Sequence, residues 1–440
     1  MSGTAPANRP PNAPGPTGSA DDAYLAKSQK RSTNMGIIAV LIVVILVLAV
    51  IAGAYAAGWI GKSSSPGPST PTNNTKPAWL PTCGGSLTAG GSTFVYPLQA
   101  VWTNAYAGLK CNSTGTNGAT STQINYQAVG SGAGISSLTS GLYIFGASDA
   151  PLTPTQTSTL KSPAVTMVDS AGAVAIIYNL AVKNSTGATI PLRMTGTVLT
   201  GIYNGTITTW NDPAIAAINP AAVLPSSAIT VEHRSDGSGT SFAFTTFLTD
   251  SSAWWKAHVG PSTTPAWPTG LGQKGSEGVA GAVASTSGSI GYDELNYAEE
   301  EGTALEIATV ENPAGNYILP SVADTNYAVQ NASNLPDPKG NWSGYSIING
   351  GGGGTYPIAT LTYLMIYTDI GTAPAYSGAY TQSQATALVQ YLWWIVHTGQ
   401  NDSAGQFYVP LPKVFITLDE TAIGDIQYKG AALVSHAPSS

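Results

Sequence analysis

Charge is scarce in this chain. Only 9% of its 440 residues are Asp, Glu, Lys or Arg, and the net charge is −7. A nucleic-acid partner needs a basic field, and none exists here. Any anion held by this protein must be held by local dipoles and hydrogen bonds. Histidine is equally sparse: His233, His258, His397 and His436 are the full set, and none stands at metal-ligand spacing from another. No metal site is expected. No Gly-x-Ser-x-Gly elbow occurs either, so the usual equipment of a hydrolase is missing. Gly61-Lys62-Ser63 has the ending of a nucleotide phosphate loop, but Ala56 stands where the leading glycine must be. No cofactor is expected. The two cysteines, Cys83 and Cys111, are too few for a disulfide-built scaffold or a thiolate cluster.

What the chain does have is glycine (50), proline (30) and one long apolar run. Residues 1–34 are rich in Pro, Gly, Ala and Ser without apolar periodicity, which reads as a disordered segment. Gly36 to Trp59 carries no charge and is long enough to span a bilayer. A transmembrane helix is expected over 35–60. Lys30 and Arg31 before it favour a cytoplasmic N-terminus, and Tyr55 and Trp59 suit the outer interface. A cleaved signal peptide is the rival, since Ala52-Gly53-Ala54 has the small-x-small form. The length of the apolar core and of the arm before it favour a retained anchor. Residues 61–82 read as a stiff Pro/Ser/Thr stalk. Everything beyond is then outside the cell, in a single-pass cell-membrane protein. Acceptor triplets for N-glycosylation begin at Asn73, Asn112, Asn184, Asn204, Asn331, Asn341 and Asn401, all after the apolar run. On that side a Cys83–Cys111 disulfide is the expectation, closing a loop of about 28 residues, with two free thiols as the alternative.

From Cys83 onward, β-branched runs alternate with helix-like runs. Strands are expected over 124–129, 141–146, 165–168, 174–180, 229–233, 289–292 and 358–367. Helices are expected over 96–106, 198–202, 241–248, 277–284 and 382–397. Alternating strands and helices mean an α/β architecture. One stretch stands out, Val231-Glu232-His233-Arg234-Ser235-Asp236-Gly237-Ser238-Gly239-Thr240-Ser241-Phe242. A strand runs into a Gly/Ser/Thr turn and then a helix start. The first helical turn carries unpaired N–H groups and a partial positive charge. Glycines allow close backbone approach, the hydroxyls add donors, and Arg234 adds a planar fork for two oxyanion oxygens. His233 alternates to the opposite face. Three more turns share this chemistry: Ala89–Phe94, Gln127–Gly134 and Phe145–Leu152. Taken singly each is a plain turn. Four of them at strand ends are where an α/β sheet binds ligands.

The segments GGSTFVYPL, NYQAVGSGAG, FGASDAPL, GIYNGTITTWNDPAIAAINP, RSDGSGTSF, WPTGLGQKGSEGVAGAV and GSIGYDELNYA resemble those of the periplasmic phosphate-binding family of high-affinity phosphate ABC transporters. The resemblance covers nearly all of Gly84 to Gly430. It implies a two-lobed periplasmic-binding-protein fold of type II, with hinge strands and a central ligand cleft. Lobe 1 would take 83–168 and 357–432, lobe 2 would take 169–356, and 433–440 would be a tail. By position, Thr93 and Phe94 match the first phosphate loop. Ser131 matches the second, with Gly132 beside it as backbone. Asp149 matches a buried carboxylate. Arg234, Ser238, Gly239 and Thr240 match the helix-start cradle, and Asp236 matches the residue that holds the arginine. Gly132-Ala133-Gly134 departs from the family's usual Ser-Gly-Gly, which removes any side-chain contact at position 132.

The implied function is capture of inorganic phosphate by a monomer that delivers it to ABC-transporter permease subunits, without enzymatic activity. The anchor and stalk depart from soluble members and, with the acceptor triplets, suggest an archaeal cell surface. An ionised Asp149 only accepts hydrogen bonds, so the ligand must bring a proton. Both hydrogen phosphate ions carry one; sulfate at neutral pH does not. Two rival functions stand beside this one: a surface structural or adhesion protein with the same fold, and an extracellular phosphatase.

Overall fold

The computed structural model describes residues 81–82, 85–111 and 121–433. All fall within one compact unit, Lys76–Ser440. The expected disordered segment, membrane helix and most of the stalk lie outside the described residues, as do Cys83, Asn73 and Asn112 and most of the C-terminal tail. Among the described residues no helix is long and apolar enough to cross a membrane. Cys111 is not a free thiol, but its expected partner, Cys83, is not among the residues described.

Nine strands make one curled sheet: β1 (Ser86–Gly91), β2 (Gln123–Ala128), β3 (Gly146–Ser148), β4 (Ala164–Tyr178), β5 (Thr230–Arg234), β6 (Leu271–Gln273), β7 (Ser289–Glu294), β8 (Glu306–Ile307) and β9 (Ala359–Tyr367). Their order is β2-β1-β3-β9-β4-β7-β5-β6, with β8 also on β4. The β1–β2, β1–β3, β5–β7 and β5–β6 pairs are parallel. Both neighbours of β9, and all three neighbours of β4, run antiparallel to it. The fold is therefore mixed α/β. Five helices position the loops at the strand ends and the core beneath them: α1 (Tyr96–Ala107), α2 (Ser131–Ser140), α3 (Gly239–Ser251), α4 (Gly275–Ser285) and α5 (Gln382–Val396).

The long strand β4 organises the sheet. Its first ten residues, Ala164–Ala173, lie along β9, and its last five, Val174–Tyr178, lie along β7, with Ile177 and Tyr178 also paired to β8. The runs 165–168 and 174–180, expected as separate strands, are one. The polar stretch Asp169-Ser170 has the look of a break in the sequence. It is instead a bulge, where Val168 pairs with Tyr363 and Ser170 with Thr362, leaving Asp169 unpaired in the register. Asp169 is tolerated inside the sheet because Thr362 donates to Oδ1 and Gln99 Nε2 donates to Oδ2 at 2.9 Å. Burial still pushes its carboxyl up to about 6. The strand expected over 141–146 is displaced. Gly141 ends α2 with φ 81°, and the strand begins only at Gly146. The expected lobe boundary at 168/169 falls inside β4, whereas its change of neighbours comes between Ala173 and Val174.

The core is aromatic and continuous. Tyr106, Phe145, Tyr391 and Trp394 form one aromatic group, and Tyr203, Phe244, Trp267 and Tyr292 form another. Tyr391 and Trp394 of α5, three residues apart on one helix face, are buried in this core, while Trp393 is only partly buried. Helix α5 starts on a reciprocal cap: Gln384 N–H donates to Thr381 Oγ1 and Thr381 N–H to Gln384 Oε1.

Candidate functional site

Each candidate residue sits just past the C-terminal end of a strand. Thr93 and Phe94 follow β1, Gly130 to Gly132 follow β2, Asp149 follows β3, Arg234 to Thr240 end and follow β5, and Ser276 follows β6. Within each parallel set the ends lie side by side, and because β1–β3 run opposite to β5–β7 the two sets of ends meet across β4, at the strand C-termini where α/β proteins place ligands. The loops come from both sides of β4 and touch one another.

Arg234 is the centre. It is buried, with 3% exposed. Its Nε donates to Asp236 Oδ1 at 2.8 Å and its Nη2 to Oδ2 at 2.5 Å, a two-point clasp. Nη1 points to Thr240 Oγ1 at 3.4 Å and Ser276 Oγ at 3.3 Å. Burial works against both charges. The clasp outweighs it, holding the arginine above and the Asp236 carboxyl below their ordinary values. Asp236 Oδ1 also accepts Gly275 N–H at 3.0 Å, which fixes the start of α4. His233, next in sequence, stacks on Trp267 with ring centroids 4.9 Å apart. It faces away from the site, as strand alternation predicts.

The hydroxyls are arranged by what they already accept. Ser131 Oγ accepts Gly239 N–H at 3.0 Å and Asp149 N–H at 3.4 Å. Its lone pairs are taken, so its own O–H is left to donate. Ser238 Oγ caps α3 by accepting Ser241 N–H at 3.1 Å, and again its O–H remains. Thr93 Oγ1 lies 3.0 Å from Ser276 Oγ and accepts Ser276 N–H at 3.3 Å. Three tyrosines pin the Thr93 loop by its carbonyls: Tyr126 on Ser92, Tyr297 on Thr93, and Tyr408 on Phe94. With the carbonyls held, the loop backbone is fixed in place. No protein partner is seen for the N–H groups of Phe94, Ser131 or Thr240 among the described residues. Gly132 differs from the expectation of backbone support: its N–H is spent on Gly237 O at 2.9 Å, binding the two loops together.

Asp149 is buried against this donor set. Ser92 Oγ donates to its Oδ1 at 2.6 Å, and no protein donor reaches Oδ2 among the described residues. Burial raises its carboxyl to about 7, offset in part by the Ser92 hydrogen bond and the Arg234 charge. The structure thus gathers Thr93, Phe94, Ser131, Asp149, Arg234, Ser238, Gly239 and Thr240 in one place. Close packing makes several glycines obligatory. A β-carbon on Gly239 would lie 2.5 Å from Asp149 N and 2.6 Å from its Cβ.

Sequence reading missed Ser276, Ser92 and Asp293. Ser276 had a usable signal, since Lys274-Gly275-Ser276-Glu277 repeats the strand–glycine–hydroxyl–helix pattern of the Arg234 loop. Ser92 lies inside the GGSTFVYPL motif, but its hydroxyl serves Asp149 rather than the cavity. Asp293 gave no signal, because a strand acid is ordinarily read as solvent-facing.

Known proteins share this geometry's sequence and fold. A family model described as a PBP superfamily domain matches residues 68–396. Phosphate-binding protein PstS of Xylella fastidiosa (strain Temecula1 / ATCC 700964) is 36% identical over 329 residues, 74% of this chain and 81% of that protein. The chain belongs to the PstS phosphate-binding protein family. The PstS of the archaeon Methanocaldococcus jannaschii is 30% identical over 381 residues, 82% of this chain and 90% of that one. A solved structure of a high affinity periplasmic phosphate-binding protein, PfluDING, bound with phosphate, overlays with a TM-score of 0.56 at 20% identity. The overlay covers 76% of this chain and 93% of that one, and it shows the shared fold. The mixed α/β fold with its curled sheet is thus the periplasmic-binding-protein architecture that the comparisons share with this chain.

Proposed function

We propose that this chain is an extracytoplasmic solute-binding protein that captures inorganic phosphate and passes it to an ABC-transporter permease. One observation carries the reading. Unspent donors from both sides of β4 surround the clasped Arg234 and the open Oδ2 of Asp149, in a chain of the PstS family.

The chemistry follows from the donor list. The Phe94, Ser131 and Thr240 N–H groups and the hydroxyls of Thr93, Ser131 and Ser238 donate to phosphate oxygens. Arg234 adds charge at the focus, and Asp236 keeps it from swinging. Asp149 Oδ2 accepts the ligand's own proton. Sulfate brings no proton there and sets lone pair against lone pair, a mismatch that buried polar sites reject by roughly 10⁴-fold or more. Bound phosphate joins the loops on the two sides of β4. Such closure around a ligand is how a binding protein marks itself as loaded.

The uncharged run Gly36–Trp59 is proposed as a retained single-pass anchor that keeps the body outside the cell. The distribution of acceptor asparagines supports this. Asn331, Asn341 and Asn401 are exposed on the body, and Asn184 and Asn204 half-buried. The relatives are binding proteins by name, and the same role without turnover is proposed here.

Calorimetric titration of the full chain with phosphate, arsenate and sulfate tests the assignment. Tight binding of phosphate and arsenate with no sulfate heat is expected. Equal affinity for sulfate, or no phosphate heat at all, overturns it.

A further inference from the structure

The parallel register Ser289 opposite Thr230 and Ile290 opposite Val231, carried forward, sets Asp293 beside Arg234 on the same face of the sheet. Asp293 is 1% exposed. Its Oδ1 accepts Glu294 N–H at 2.8 Å, while its Oδ2 is buried without a hydrogen-bond partner of good geometry. An orphaned carboxylate oxygen in a dry sheet is costly when ionised. Around it stand the Arg234 guanidinium from β5, the Ser276 hydroxyl and Ala280 N–H from α4, and Tyr292 and Glu294 from its own strand. Tyr297 is near enough to feel its charge. Ser276 links it to the ligand loops, since the same hydroxyl lies 3.3 Å from Arg234 Nη1 and 3.0 Å from Thr93 Oγ1.

Charge counting then gives Asp293 a task. Arg234 is the one base in the cluster and Asp236 already neutralises it. A phosphate dianion entering beside Asp149 and an ionised Asp293 would face two further negative groups in a low dielectric. Asp149 is engaged with the ligand proton. Asp293 takes no ligand proton, and its Oδ2 has only the Ser276 hydroxyl and the Ala280 N–H near it, outside good hydrogen-bond geometry. We propose that Asp293 is a second acid of the anion site, taking one proton from solvent when the phosphate dianion binds, so that capture of the dianion is coupled to proton uptake. This rests on the phosphate reading of the same site. Asp293 acts through Arg234 and Ser276 and is a positioning residue. The balance is one carboxylate plus one solvent proton giving one carboxylic acid, with no other bond made or broken. The strong upward push on this carboxyl, to about 7, comes from burial and agrees with a group ready to accept a proton near neutrality.

The test is phosphate titration of the full chain at pH 8 in two buffers of different ionisation enthalpy, for wild type and Asp293→Asn. Wild type is expected to take up more protons per phosphate than Asp293→Asn, the difference approaching one. Wild-type affinity should also fall with rising pH more steeply than the variant's, by up to about tenfold per pH unit. Equal proton counts in the two proteins overturn the proposal. Carbon NMR of the Asp293 carboxyl in unaltered protein serves if the variant folds poorly. Its titration midpoint should move upward when phosphate is added, and an unmoved midpoint also overturns the proposal. Failure of wild type to bind phosphate at all would instead strike the functional reading itself.

Discussion

A β-carbon at Gly130 would lie 2.2 Å from Oδ2 of Asp236, the acid that clasps Arg234. Gly130 also has φ 90°, which side-chain-bearing residues rarely adopt. The two facts have one consequence. The loop that presents Ser131 reaches the loop that presents Arg234 only because position 130 has no side chain. Gly130→Ala should push Asp236 aside and loosen the arginine, lowering phosphate affinity by about tenfold or more. It should also cost about 1 kcal/mol or more of stability from backbone strain. Calorimetry and denaturant melts measure the two effects. Wild-type values for both would show that the loops do not meet as described.

Asp149→Asn tests the proton rule. The amide keeps the size of the side chain but can donate as well as accept. Sulfate binding should appear, and the phosphate-to-sulfate affinity ratio should fall by on the order of 10²-fold or more. Competition titrations read the ratio directly. An unchanged ratio would mean that selectivity comes from elsewhere in the pocket.

Arg234→Lys asks whether charge alone suffices. Lysine keeps the charge but cannot hold Asp236 at two points while a third nitrogen faces Thr240 and Ser276. The half-buried Asp236 then loses its clasp. Phosphate affinity should fall by about 2–4 kcal/mol equivalent, with the stability of the empty protein lowered as well. A lysine variant that binds within threefold of wild type would demote the planar fork to a plain positive charge.

Much of this site could be read from the chain because it is built from short local patterns. A strand end, a glycine, a hydroxyl and a helix start repeat at Thr93, Ser131 and Ser238, and each was visible on its own. Which hydroxyl faces inward was not visible. Ser92 and Thr93 are adjacent, yet one bonds Asp149 and the other bonds Ser276 from the far side of β4. That choice depends on contacts far apart in sequence. The same limit hid β4. Asp169 broke the apolar pattern, and only Gln99 and Thr362, distant in the chain, make its burial tolerable. Helix ends were read to within a few residues where caps were strong, as at Thr381. The 141–146 stretch was misread because Gly141 is a left-handed helix stop, and the apolar and aromatic run Leu142–Phe145 imitates a strand there.

The buried acids make a prediction about the empty protein. Burial pushes Asp149 and Asp293 up to about 7 and Asp169 up to about 6, and it raises Glu294 and Asp419 well above their ordinary values. In the unfolded chain these carboxyls titrate near 4. Between about pH 4 and pH 7 the folded state therefore holds protons that the unfolded state has released. Stability falls as pH rises through that window, the reverse of a protein held by salt-bridged carboxylates. Phosphate-free protein should melt about 3–10 °C higher at pH 5 than at pH 8. Asp169 lies outside the ligand site, so Asp169→Asn, which cannot ionise, should shrink that difference without abolishing phosphate binding. Scanning calorimetry across the pH range decides the matter. A melting temperature that climbs from pH 5 to pH 8 would mean that these acids are charged and paired in the folded protein.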